Sequence, residues 1–84
     1  MLDEVKALLD EHLALNGRAR GFTAATPLFG SLPELDSIAV VGLVAALEAR
    51  FDIAIDDADI TLETFATVGA LADFVGRKRR LTPP

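Results

Sequence analysis

The sequence predicts an all-α fold class: a small four-helix bundle of three main helices plus one short third helix, with a long loop between helices 1 and 2. Apolar residues recur at helical spacing in three stretches, which begin near residues 2, 37 and 68. Glycine, proline and aspartate separate these stretches and mark their ends. The chain has 84 residues and is 51% hydrophobic, which suffices for one domain with a single small core.

Helix 1 is predicted over residues 2–15. Its apolar side chains share one face, and its charged side chains lie mostly on the other. Asn16 and Gly17 follow, and both tolerate the left-handed backbone conformation that ends a helix. Residues 17–36 contain three glycines and two prolines and show no sustained period. We therefore expect a long loop, and a long ordered loop in so small a domain is usually functional.

Helix 2 is predicted over residues 37–50, with Asp36 as its N-cap. A brief third helix is expected over residues 59–65. Thr67 has the side chain of an N-cap, and residues 68–75 continue with the apolar spacing of a last helix. We place the end of the helical domain at residue 76 and expect residues 77–84 to form a basic, frayed C-terminal tail.

The charge distribution argues against several classes of function. All 13 acidic residues precede residue 77, and four of the 8 Lys and Arg residues lie at positions 77–80, for a net charge of −5. An acidic body repels phosphate backbones, so we expect no nucleic-acid partner. The longest apolar run, residues 38–47, is about half of the roughly 20 residues that span a bilayer, so we expect no membrane insertion. We predict a monomeric, cytoplasmic protein.

Residue types that carry catalysis or bind metals are scarce. The chain has no cysteine and one histidine, His12, so it cannot build an ordinary zinc site or catalytic constellation. Asp56, Asp57 and Asp59 form a carboxylate cluster without the spacing and the glycine of a calcium loop. We therefore predict that the protein is not an enzyme and holds no metal. A cysteine-free chain also suits a reducing compartment.

Asp36 and Ser37 stand where the loop meets helix 2, and two interpretations of this pair are open. Both side chains can accept hydrogen bonds from free backbone N–H groups, so the pair is a common capping arrangement. Alternatively, Ser37 is a site of covalent modification, because a phosphodiester there would be stabilised by the positive end of the helix dipole. The dipeptide alone favours the cap, whereas its position after a long loop favours modification.

An ordered set of residues surrounds Ser37 along the chain. The set consists of Leu28-Phe29-Gly30, Leu35-Asp36-Ser37-Ile38, Val41, Leu43-Val44, Leu47-Glu48, residues 51–57, Asp59-Ile60, Phe65 and Thr67-Val68-Gly69-Ala70-Leu71. In this set the chain resembles the acyl carrier proteins, and the resemblance covers nearly its whole length.

The resemblance implies a function for this set. Ser37 would carry a 4′-phosphopantetheine arm, installed from coenzyme A by a phosphopantetheinyl transferase that reads Asp36 and Ile38. The arm would hold acyl groups as thioesters and present them to partners, which are an acyl-loading ligase or synthase and acyl-transfer enzymes. Five residues are candidates for an acyl pocket, although each also fits a plain core position: Phe29, Val41, Leu47, Ile55 and Ile60.

Helix 2 departs from the acidic docking surface that is typical of the family. Small residues replace several of its carboxylates, Arg50 adds a positive charge, and Glu48 alone keeps an acid on this helix. Three explanations are open: neutral drift on an exposed face, partners that bind through close apolar contact, or self-association through a stripe of small residues. The candidate partner surface consists of Ala39, Gly42, Ala46, Glu48, Ala49, Asp56, Asp57 and Asp59.

The altered helix 2 favours a specialised pathway of lipid metabolism, polyketide-like synthesis or surface-polysaccharide synthesis over housekeeping fatty acid biosynthesis. Two other functions stay open. One is a peptidyl or aminoacyl carrier protein. The other belongs to a different class: a non-covalent helical interaction module with no prosthetic group, in which Ser37 would serve only as a cap.

Overall fold

The computed structural model describes residues 1–81 and consists of helices joined by irregular segments. Helix α1 spans Leu2–His12, α2 spans Ser37–Phe51 and α3 spans Val68–Leu81. Two short 3-10 helices, Arg18–Gly21 and Asp57–Asp59, lie in the connections. The predicted all-α helical bundle is confirmed, and its three α-helices share one apolar core.

The core forms where the apolar faces of the three helices meet. Burial of each aliphatic side chain stabilises the fold by about 1.5–3 kcal/mol before the entropy of ordering is counted. The largest fully buried side chains come from all three helices and from the loop: Val5, Leu9, Leu15, Leu28, Leu43, Leu47, Val68, Leu71 and Val75.

The C-terminal ends of α2 and α3 lie at the same end of the molecule. The guanidinium of Arg79 lies 6.0 Å from the ring centroid of Phe51, which is the last residue of α2. Ser37 begins α2, and a helix of this length spans about 20 Å. Arg79 therefore lies at the opposite end of α2 from Ser37.

Helix α1 ends at His12, three residues before the predicted end. Ala14 and Asn16 have φ values of 54° and 56°, a left-handed conformation that an α-helix does not continue through. Leu13 and Leu15 are nevertheless buried. The apolar pattern thus identified the buried positions correctly, but the helix predicted from it was three residues too long.

The side chain of Asp10 turns the chain after α1. Its two carboxylate oxygens accept the backbone N–H groups of Gly17 and Ala19, each at 3.1 Å. These bonds place the first 3-10 helix against α1 and bury the Ala19 side chain. Nothing in the local sequence indicates this long-range cap, because Asp10 lies on the polar face of an amphipathic helix.

The long loop between α1 and α2 is joined to the segment before α3. An antiparallel bridge pairs Pro27 with Thr67. Leu28 N–H donates to the carbonyl of Ala66 at 2.9 Å, and Phe29 N–H donates to the carbonyl of Phe65 at 3.0 Å. This pairing holds Phe29 and Phe65 close to the N-terminus of α2.

The brief third helix predicted over residues 59–65 is not an α-helix. The chain forms the 3-10 helix Asp57–Asp59 and then a series of turns. Side chains here bind the backbone groups that a helix would use, since Asp59 accepts the N–H of Asp56 and Thr61 accepts the N–H of Thr64, both at 3.1 Å. Such local bonds compete with regular helical hydrogen bonds.

Helix α3 continues to Leu81, so the predicted domain end at residue 76 lies inside this helix. Residues 77–80 are helical rather than part of a frayed tail, and their positive charges lie near the C-terminus, where the helix dipole favours cations. The end of the predicted tail, residues 82–84, lies outside the described residues. Within residues 1–81, no helix combines the length and the apolar character needed to cross a membrane.

Candidate functional site

Ser37 is the first residue of α2, and its side chain is exposed. The predicted cap by Asp36 is confirmed: its Oδ1 accepts the backbone N–H of Ala39 at 2.8 Å. The Ser37 hydroxyl makes no hydrogen bond to any of residues 1–81. Capping is thus performed by Asp36, and the hydroxyl of Ser37 is free for chemistry.

The first turn of α2 provides a favourable site for an anion. It contains no acidic side chain, and the amides of Ser37 and Ile38 have no acceptor within residues 1–81. Free N–H groups and the helix dipole together give this end a partial positive charge. A phosphodiester on Ser37 Oγ would lie beside that charge.

An apolar groove of about 340 Å³ adjoins Ser37. One wall is the N-terminal half of α2, and the other is the irregular segment that follows the second 3-10 helix. Phe65 at the bottom is 2% exposed, whereas Phe29 at the rim is 37% exposed. The groove is lined by Phe29, Ser37, Val40, Val41, Ile60, Thr61, Leu62 and Phe65.

The groove contains three of the five residues predicted to shelter an acyl chain, namely Phe29, Val41 and Ile60. Leu47 lies in the core at 1% exposed, and the half-buried Ile55 packs against the core. Sequence reasoning did not assign Val40, Thr61, Leu62 and Phe65 to the pocket. The last three lie in the irregular segment before α3, for which the sequence carries no periodic signal.

The comparisons with known proteins agree with this geometry. The family model described as a phosphopantetheine attachment site matches residues 3–75. The solution NMR structure of a holo acyl carrier protein from Nitrosomonas europaea is 45% identical, covers 92% of this chain and 93% of its own, and superimposes with a TM-score of 0.85. No curated protein matches the chain significantly.

The chain belongs to the acyl carrier protein family.

As an acyl carrier protein, the chain is a carrier and not an enzyme, and its cofactor is covalently attached 4′-phosphopantetheine. The residues at the start of α2 fit this group. The hydroxyl of Ser37 is exposed and without a hydrogen-bond partner in residues 1–81, the adjacent amides are free, and an apolar groove begins at the same residue.

The small-residue stripe of this carrier does not form one exposed face. Ala39, Gly42 and Ala46 are half-buried, and only Ala49 is exposed. Gly42 lies against the His12 ring: a Cβ added at this glycine would be 2.9 Å from Nε2. Three of the four positions thus pack within the carrier, so the helical wheel identified residues that share a face but not the direction in which that face points.

A different row of residues on α2 is exposed beside Ser37. Ile38 is 83% exposed and Val41 is 70% exposed, and Ala45 follows them one turn later. Leu62, on the opposite wall of the groove, is 72% exposed. We call these four residues the delivery face, because they are exposed apolar side chains on the first turns of α2 and on the opposite wall of the groove.

Two of the predicted partner-surface acids are committed to contacts within the carrier. Glu48 is half-buried, and its Oε2 accepts the backbone N–H of Ile55 at 2.9 Å. Asp59 accepts the N–H of Asp56 and forms an ion pair with Lys78, and the pKa of Asp59 is lowered mainly by the hydrogen bond from that ammonium group. Asp57 is exposed.

The acidic cluster before α3 also gives no indication of a metal site. The carboxylate of Asp59 already accepts the backbone N–H of Asp56 and pairs with Lys78, so it has donors within the carrier. Residues 1–81 contain no group of three or more potential ligands placed to hold a metal ion.

Proposed function

We propose that this carrier bears its phosphopantetheine arm on Ser37 Oγ and delivers acyl groups to enzymes of a specialised lipid, polyketide-like or surface-polysaccharide pathway. The observation that carries the proposal is the exposed, uncommitted hydroxyl of Ser37 at the free N-terminus of α2, directly beside an apolar groove. Asp36 and Ile38, which flank this hydroxyl and are both exposed, are the residues that a transferase would contact first.

The bound arm supplies a terminal thiol, on which an acyl group is held as a thioester. The residues of the chain have three tasks around it. Asp36 fixes the first turn of α2, so that Ser37 stands at a rigid helix end. The free amides of that turn stabilise the phosphodiester charge. The groove between α2 and residues 60–62 shelters the apolar end of a short acyl chain.

The delivery face supports recognition by apolar contact. Residues 37–47 contain no charged side chain, and the carboxylate of Glu48 is engaged with Ile55. A partner that reaches Ser37 therefore meets the exposed side chains of Ile38 and Val41 rather than a row of carboxylates. Interactions of this kind respond weakly to salt, whereas charged surfaces are screened over about 10 Å at moderate ionic strength.

The attachment site is tested by intact mass spectrometry after incubation with coenzyme A and a phosphopantetheinyl transferase. The parent should gain the mass of phosphopantetheine, and Ser37→Ala should gain nothing. Ser31→Ala is the matched control, because Ser31 is the other serine of the chain and is also exposed. It should gain the same mass as the parent. A gain in Ser37→Ala, or none in the parent with several transferases, would contradict the proposal.

The apolar recognition is tested by the salt dependence of the transferase reaction. The kcat/KM for the parent should change little from low to high salt, and Val41→Asp should lower it by roughly tenfold, the factor that corresponds to about 1.4 kcal/mol. Ala7→Asp places the same charge on the exposed face of α1 and should leave the rate unchanged. A steep fall of the parent rate with salt would show that charge, and not apolar contact, governs recognition.

The pathway, the monomeric state and the cytoplasmic location stay predictions. Loading assays with acyl and aminoacyl donors distinguish an acyl carrier from the aminoacyl alternative. A concentration series in light scattering tests the monomer, since exposed apolar side chains such as Ile38 are also possible contacts between copies.

A further inference from the structure

The two walls of the groove beside Ser37 differ in rigidity. One wall belongs to α2, where Ser37 and Val41 are fixed by a regular helix. The other wall, residues 60–62, is not helical. The backbone hydrogen bonds donated by this wall are local: Ile60 N–H donates to the carbonyl of Asp57, and Thr61 N–H donates to the carbonyl of Asp59. The position of this wall therefore depends on how its two ends are attached to the helices.

The end of the wall that precedes α3 is attached through Phe65, which is 2% exposed at the bottom of the groove. The other end is attached through Asp59. Oδ2 of Asp59 lies 2.6 Å from Nζ of Lys78 on α3, and it also accepts the N–H of Asp56 at 3.1 Å. The carbonyl oxygen of Asp59 accepts the hydroxyl of Thr64 at 2.9 Å.

The ion pair is protected enough to act as an anchor. The side chains of Lys78 and Asp59 are 20% and 27% exposed, so solvent reaches them only in part. Nζ of Lys78 also lies 5.8 Å from the ring centroid of Phe74, which holds the ammonium group on the α3 surface. The hydrogen bond between them lowers the pKa of Asp59 and raises the pKa of Lys78, so both groups keep their charges over a wide range of pH.

We propose that Asp59 is a positioning residue: its ion pair with Lys78 holds residues 60–62 against α2 and thereby sets how well the groove protects an acyl chain. The inference rests on the groove of the proposed function. Ile60 follows Asp59 directly in the chain, so a shift of Asp59 away from α3 moves the side chain that lines the groove. A chain long enough to contact that wall should lose protection, whereas a chain too short to reach it should not.

The test uses the full-length carrier with its arm loaded with either acetyl or octanoyl and measures the rate at which hydroxylamine cleaves the thioester. In the parent, octanoyl should be cleaved more slowly than acetyl. Asp59→Asn and Lys78→Met should each speed cleavage of octanoyl by about two- to fivefold, the range expected for loss of one partly exposed ion pair, and should leave the acetyl rate unchanged.

Three controls separate positioning from general loss of structure. Asp57→Asn removes the same charge from the same short helix, where Asp57 is exposed and makes no side-chain hydrogen bond or ion pair within residues 1–81, and it should behave as the parent. Lys78→Arg retains the positive charge and should protect the octanoyl thioester as well as the parent does. In the double variant Asp59→Asn with Lys78→Met, the octanoyl thioester should be cleaved no faster than in either single variant, because both substitutions remove the same contact.

The outcomes distinguish the inference from the proposed function. Suppose that the parent protects octanoyl and that the octanoyl thioester is cleaved as slowly on Asp59→Asn as on Asp57→Asn. The ion pair then has no role and the inference is wrong, while the proposed groove is unaffected. If Asp59→Asn speeds cleavage of the acetyl and octanoyl thioesters equally, the substitution has destabilised the carrier as a whole, and the inference is again wrong. If the parent protects neither chain, the groove does not hold acyl groups, and that part of the proposed function is overturned together with the inference.

Discussion

Gly42 gives the sharpest test of how α2 packs. A glycine in a helix interior costs about 1 kcal/mol relative to alanine, so its presence needs a cause. The structure supplies one: a Cβ at Gly42 would lie 2.9 Å from Nε2 and 3.2 Å from Cε1 of His12. These separations are well inside the 3.5–4.0 Å or so of a comfortable contact. The side chain of His12 therefore occupies the space that alanine would need.

The structure also fixes the expected magnitude. Gly42→Ala should gain about 1 kcal/mol of helix propensity. It must also displace the exposed His12 ring, which has room to rotate outward but leaves its preferred position, at a cost of about 0.5–1.5 kcal/mol. The two effects nearly cancel, so Gly42→Ala alone should change the free energy of unfolding by less than about 0.5 kcal/mol. In a His12→Ala background the ring is absent, and the same substitution should stabilise by the full amount of about 1 kcal/mol.

The assay is urea denaturation of the four proteins of this double-mutant cycle, followed by circular dichroism because the chain has no tryptophan or tyrosine. The coupling free energy should be about 1 kcal/mol. If Gly42→Ala stabilises equally in both backgrounds, to within about 0.3 kcal/mol, then the His12 contact is not what keeps a glycine here. A coupling of the expected size would explain Gly42 by internal packing and remove the need for a partner at this position.

Three further predictions concern a cap, a close backbone contact and an ion pair. Asp36→Ala should lower the free energy of unfolding by about 1 kcal/mol, whereas Asp36→Asn should keep the cap; equal urea midpoints for the two variants would contradict the capping role. Gly69→Ala should destabilise by about 1–3 kcal/mol, because its Cβ would lie 2.8 Å from the carbonyl oxygen of Ala24 and backbone cannot swing aside; a more stable variant would refute this packing. The lowered pKa of Asp59 means that its pair with Lys78 stabilises the fold above the ordinary aspartate pKa and that this contribution is lost as the pH falls through the lowered value. The stability difference between the parent and Asp59→Asn, measured by urea denaturation at several pH values, should therefore vanish in acid, and a difference independent of pH would be inconsistent with the ion pair.

The sequence predicted the helices well, and it predicted their ends where side-chain chemistry is local. Asp36 was recognised as a cap because a short carboxylate just before a helix is well placed to accept the free amides of the first turn. The end of α1 was misjudged for the opposite reason. Leu13 and Leu15 continue the apolar pattern and are buried, but they enter the core from a non-helical segment turned by Asp10, whose partners lie seven and nine residues away.

The surface of α2 was harder to predict because this helix is apolar on several faces. A helical wheel groups residues that share a face, but it needs a polar face to decide which group points outward. With no charge in residues 37–47, the sequence suggested the stripe through Gly42 as the surface and gave no indication that Ile38 and Val41 form an exposed row. Only the packing of α1, which brings His12 onto Gly42, decides between them. The groove likewise depends on turns that carry no periodic signal.

An uncharged delivery face has consequences for how this carrier meets its partners. Complementary charge raises association rates to as much as about 10⁸–10⁹ M⁻¹s⁻¹ from the 10⁵–10⁶ M⁻¹s⁻¹ or so of uncharged surfaces. The carrier lacks charged side chains between Ser37 and Leu47, so its encounters gain little from steering at the end that carries the arm. Enzymes that locate carriers through a row of carboxylates would find none on residues 37–47 of α2, so on the proposed function shape would supply more of the discrimination. On the proposed function, such a surface would lower the rate of encounter and would also keep out enzymes that bind carriers through charge, as the proposed specialised pathway would require.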